Sequence, residues 1–108
     1  MSEESTVEGT VSQNYRLPND TTMQHAVKIG ITTDKPIMLD YWTGSLDKQI
    51  LIGMRHSGEK LLVKNAEEYT SPVSKIYKVG PEGTEDYIIV TENSIYLISA
   101  DVDTKRIQ

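Results

Sequence analysis

The chain contains no cysteine. That absence excludes disulfides, cysteine-ligated zinc, iron–sulfur clusters and thiol catalysis. Phenylalanine is missing too, which leaves six Tyr and one Trp as the aromatics, so a core must be built from Ile, Leu, Val and Met, with Tyr at its margin. Histidine occurs only as His25 and His56, which leaves little material for acid–base or nucleophilic chemistry. No apolar run approaches the ~20 residues needed to span a bilayer. The first residues are acidic and polar, without the basic region and apolar core of a signal peptide, so a cytoplasmic or virion-associated location is the expectation. An excess of positive charge is lacking as well. The net charge is −5, opposite to the footprint of a protein that binds nucleic acid through many phosphates.

What the chain does have is a dense apolar stretch from Thr70 to Ser99. Val73 to Val79 is rich in Val, Ile and Tyr, residues that fit a pleated, half-buried surface. Gly80-Pro81-Glu82-Gly83 punctuates it as a turn. Tyr87-Ile88-Ile89-Val90-Thr91 and Ile95-Tyr96-Leu97-Ile98 follow, apolar at successive positions. Successive strand residues point to opposite faces, so these two segments are expected to be covered on both sides. Either a closed or curled sheet or a companion chain would supply that cover. Glu92-Asn93-Ser94 reads as a tight connection, with Asn93 tolerating positive φ.

The pairing of Thr70-Ser71-Pro72-Val73 with Val90-Thr91-Glu92-Asn93-Ser94-Ile95-Tyr96 resembles a hairpin pattern in small uncharacterised β proteins of phages, mobile elements and large DNA viruses. The likeness covers less than a third of the chain. It implies a viral or mobile-element origin and transfers no functional residue.

Earlier in the chain, residues 1–21 form a polar, acidic segment with scattered Val7, Val11, Tyr15 and Leu17. It has too little apolar surface to offset its ordering entropy and is expected to be a flexible tail, or an arm that orders on a neighbour. Residues 22–108 are expected to form one small β domain. Ala26 to Ile31 alternates, with Val27, Ile29 and Ile31 on one side, as a half-buried strand would. Ile37 to Trp42 and Lys48 to Arg55 read as further strands, with Thr43-Gly44-Ser45 as a turn between them and Gly53 as a bulge or bend. His56 to Glu59 is a hairpin loop, Lys60 to Lys64 a strand, and Asn65 to Glu68 a single capped helical turn. Ala100 to Gln108 frays as a polar end. About seven short strands with frequent turns predict an all-β fold, a small curled meander or barrel.

Residue patterns that carry chemistry are few. Gly80 to Gly83 has a proline and acids where a phosphate cradle needs amides and a cation. His56 beside Ser57 is no dyad, because neighbouring side chains diverge. Asp101 and Asp103 share a strand face but lack the glycine and closing Glu of a calcium loop. Asp40 sits between Leu39 and Tyr41, where strand alternation puts it outside. No cofactor, metal, membrane or small-molecule substrate is implied, and an enzyme is not expected. The best candidate surface is Met38, Tyr41 and Trp42 with Arg55 and His56, since Trp, Tyr, Met and Arg are enriched in protein interfaces; the competing expectation is that Trp42 plugs one end of the barrel, since Trp is highly buried on average. The expected function is a non-catalytic protein–protein interaction or structural module, with a protein partner or a second copy. A nucleic-acid-binding small barrel using Lys28, Lys60, Lys64, Lys75 and Lys78 is the alternative.

Overall fold

The computed structural model describes residues 16–107. The expected tail up to residue 15 lies outside the described residues. Strands β5 (Val73–Val79), β6 (Asp86–Thr91) and β7 (Ile95–Ser99) form an antiparallel meander where the apolar stretch predicts one. Its first turn rests on Gly80 and Gly83, at φ 116° and 93°, which glycine adopts without a Cβ penalty. The second turn is built by a hydroxyl. Thr91 Oγ1 accepts from the Asn93 and Ser94 amides at 3.2 and 3.1 Å, and the only non-glycine residues at positive φ among the described residues are Asp34 and Lys48. Asn93 therefore does not play the part expected of it.

A short strand β1 (Ile37–Met38) adds parallel to β7, pairing Ile37 with Ile95 and Met38 with Tyr96. The sheet order is β1-β7-β6-β5. Both faces of β6 and β7 are covered. On one, Ile88, Val90, Ile95 and Leu97 pack with Ala26 and Trp42. On the other, Ile89 and Ile98 pack with Tyr41, Ile50, Ile52 and Leu62, and the half-buried Tyr87 and Tyr96 lie against this cluster. Ile88, Ile89, Ile95, Leu97 and Ile98 are 0% exposed, and burial of each contributes about 1.5–3 kcal/mol. The cover comes from this chain itself, a helix on one side and a second sheet on the other.

That second sheet joins β2 (Leu51–Met54), β3 (Lys60–Asn65), β4 (Glu68–Tyr69) and β8 (Asp103–Arg106) in the order β4-β3-β2-β8. Ile52 and Leu62 pair and face the first sheet. Gly53 is no bulge, since the register through it is continuous. It is small because Ile107 lies over it, and an added Cβ would come within 2.7 Å of the Ile107 Cδ1. Asn65 does not cap a helical turn either. Its Oδ1 accepts from the Glu67 amide at 2.8 Å, an Asx turn that leads from β3 into β4. The end expected to fray is instead β8, which pairs parallel to β2 from Leu51–Asp103 to Met54–Arg106.

Ala26 to Ile31 are not a strand, as their alternation predicts, but belong to helix α1 (Asp20–Thr33). Its apolar contacts repeat at helical spacing, with Thr22 and Ala26 buried and Met23 and Ile29 packed on the first core. Gly30 lets the helix approach the Lys35 carbonyl and the Ile37 and Ile95 side chains. With β-branched residues and a glycine, this helix owes its stability to packing more than to propensity. Only the first two residues of Ile37–Trp42 are strand, and Thr43-Gly44-Ser45 lies inside the short helix α2 (Trp42–Leu46). The chain is thus mostly β, with eight strands in two small mixed sheets and two helices among the described residues. They close no barrel: each is an open four-stranded sheet. No helix among the described residues is long and apolar enough to cross a membrane.

Candidate functional site

The five residues expected to form a surface are not brought together. Tyr41 and Trp42 are 3% and 7% exposed and enter different cores. The Tyr41 ring meets Tyr96 edge-on at 5.4 Å, and Lys64 Nζ lies 4.7 Å from its centroid. Burial, reinforced by the charge of Glu68, by Tyr96 and by Asp40, pushes the Tyr41 phenol up to about 12. Trp42 donates its indole N–H to the Arg16 carbonyl at 2.9 Å, and the Arg16 guanidinium stands 5.1 Å from its ring. Met38 is half-buried in the first sheet. Arg55 and His56 are exposed at the end of β2, in the other sheet, where Arg55 pairs with Glu59 at 3.2 Å. The cause is α2: without a hairpin about Ser45, the two groups never share a face.

Residues 16–22 are fastened by a buried carboxylate. Asp86 is 0% exposed. Its Oδ2 accepts from the Asn19 backbone at 2.9 Å, the Asn19 side chain at 3.0 Å and the Thr22 hydroxyl at 2.8 Å. Its Oδ1 accepts no hydrogen bond of good geometry, yet it stands 2.8 Å from Arg16 Nη2 and is paired by charge. Beside this joint lies a polar cleft of about 490 Å³ that includes Arg16, Ser45, Leu46, Glu85, Ser99 and Asp101. Most of its polar groups serve the fold, Lys78 being an exception that also lines it. Ser45 Oγ donates to the Trp42 carbonyl and accepts from the Ser99 amide, Ser99 Oγ accepts from the Asp101 amide, and Asp101 pairs with Lys48. No imidazole reaches it, and among the described residues no three His, Asp or Glu side chains cluster.

Unpaired chemistry lies along β5. β5 ends the first sheet, so one row of its backbone N–H and C=O groups pairs with nothing among the described residues. Beside this edge, His25 and Ile29 of α1 and Tyr77, Lys78, Val79 and Gly80 enclose a groove of about 510 Å³. Pairing of Tyr77 with Ile88 and of Val79 with Asp86 puts Tyr77 and Val79 on the face that α1 covers. Tyr77 is 38% exposed, and on the crest of α1 Val27 and Ile31 are 45% and 77% exposed. These are two of the residues that the alternating pattern placed inside a strand. Lys28, Lys60, Lys75 and Lys78 have no carboxylate partner among the described residues, whereas Lys64 pairs with Glu68 at 3.3 Å.

This groove offers the apolar Tyr77 and Val79 along its β5 wall and Ile29 with His25 along its α1 wall, beside the open backbone edge of β5. Sequence reasoning missed it because it depends on α1. The signal was present in Asn19-Asp20 at the helix start and in Thr22, Ala26 and Ile29 at helical spacing. The chain matches no protein-family model, no curated protein and no solved structure.

Proposed function

We propose that this domain is a non-catalytic protein–protein interaction module that accepts an extended segment of a partner protein as an added strand along β5. The observation that carries this reading is a seven-residue open strand edge lying beside an apolar groove. Strand addition draws affinity from main-chain hydrogen bonds and specificity from pockets for alternate side chains. Here β5 supplies the first, and Ile29, Tyr77 and Val79 supply the second. Exposed long edges are normally blunted by charge or bulges. Both occur on β5, as Lys75 and Lys78 and as the register shift between Val73 and Lys75, so the edge is guarded against indiscriminate pairing and left open to a matched partner.

The test selects binders to the full chain from a random displayed-peptide library and maps them on its amide resonances. Selected peptides are expected to move the amides of residues 74–80 and of His25 and Ile29. N-methylation at alternate peptide positions is expected to abolish binding, because it removes the donors that pair with β5. Peptides that bind elsewhere, or that tolerate N-methylation at both sets of positions, overturn the reading.

A further inference from the structure

We infer that the segment accepted by the β5 edge is acidic, with carboxylates opposite Lys75 and Lys78 and apolar side chains opposite Tyr77 and Val79. This rests on the strand-addition reading and names the chemistry of the partner. In a chain of net charge −5, the open edge carries two lysines without a carboxylate partner among the described residues. Both are exposed. The register assigns their faces. Lys75, opposite Val90, lies with Tyr77 and Val79 on the side of α1, and Lys78, opposite Tyr87, lies with Ile76 on the side of the second sheet.

An added strand places one residue directly opposite each of these, with Cβ atoms ≈ 4.5–5.5 Å apart, where unlike charges attract and like charges repel. Carboxylates therefore belong at the two positions facing Lys78 and Lys75. The positions facing Val79 and Tyr77 point toward the groove under Ile29 and favour apolar side chains. Along an antiparallel partner the pattern reads apolar, acid, apolar, any, acid; along a parallel one it reads in reverse. The same lysines act against the wrong partner, since a basic or wholly apolar strand leaves them repelled or desolvated. The chain's overall negative charge opposes an acidic segment only weakly, being screened over a Debye length of about 8 Å, whereas the lysines act at contact.

The experiment titrates the full chain with two synthetic peptides centred on Val-Glu-Val-Thr-Glu and its reversed sequence, and with the matching pair in which Lys replaces Glu. Binding is read from the amide resonances of residues 74–80. One Glu peptide is expected to bind about tenfold more tightly than its Lys counterpart, a difference that shrinks in ~0.5 M salt. In the K75E/K78E variant the preference is expected to invert. Equal binding of Glu and Lys peptides at β5 overturns the acidic pattern and leaves strand addition standing. If no peptide moves the β5 amides, both fall. If those amides instead shift with protein concentration alone, a second copy occupies the edge, and the acidic pattern is overturned.

Discussion

Replacing Asp86 with alanine tests the joint that holds α1 on the first sheet, and with it one wall of the groove. The wild-type carboxylate serves the Asn19 backbone, the Asn19 side chain and Thr22 through Oδ2, and Arg16 through Oδ1. In Asp86→Ala the Thr22 hydroxyl, on a residue 0% exposed, loses its acceptor where water does not reach. Removing one member of a buried ion pair costs about 3–5 kcal/mol. The Arg16 side chain is 31% exposed and regains some hydration, so the expected loss lies at the lower end, about 3 kcal/mol. Domains have only about 5–15 kcal/mol in all. Asp86→Asn keeps the shape and one acceptor oxygen, and is expected to lose about half as much. Urea unfolding followed by the fluorescence of Trp42, the single tryptophan, measures the loss. Amide exchange along α1 shows where it falls, because the helix start is released first. A loss below about 1 kcal/mol in Asp86→Ala, with α1 exchange unchanged, refutes the account of this joint.

Two further expectations concern the other core and the last strand. The Tyr41 phenol is raised from 10.0 to about 12, so as pH rises the unfolded chain ionises first. The contribution of this phenol to stability should be constant below about pH 10 and should fall by about 2–3 kcal/mol as pH rises from 10 toward 12; the same slope surviving in Tyr41→Phe refutes the assignment. Ile107→Ala removes the side chain that lies over Gly53. It should cost about 1–2 kcal/mol and speed amide exchange in β8, and unaltered exchange there counts against a structural role for this end.

The strands from β5 to β7 were legible because their apolar residues are contiguous and their turns carry glycine or a short polar break. The two-sided cover of Ile88 to Val90 and Ile95 to Ile98 was legible for the same reason. What sequence could not give was the source of that cover. Ala26 to Ile31 carries β-branched residues at alternate positions, a local preference for strand that packing of Thr22, Ala26 and Ile29 on the sheet overrides. A strand over Ala26 to Ile31 would turn Val27 and Ile31 inward and leave the groove beside Tyr77 without its second wall. Trp42 and Tyr41 drew attention as interface residues, yet aromatic side chains serve cores equally well, and a two-residue β1 followed by α2 buries both. β8 was illegible because its residues, Asp103 to Arg106, are all polar and exposed. Its pairing to β2 rests on backbone groups that composition does not reveal.

The parallel pairs β1–β7 and β2–β8 join residues 58 and 52 apart in sequence, as Ile37–Ile95 and Leu51–Asp103 show. Each sheet thus takes one of its outer strands from a segment remote in sequence from its other three, and local hairpins cannot by themselves complete either layer. Such distant pairings require large loops to close before any contact rewards them, which places folding in the slow, millisecond-to-second range. Until β8 pairs, the β2 flank is a second unpaired strand edge, of the kind that templates pairing with another chain.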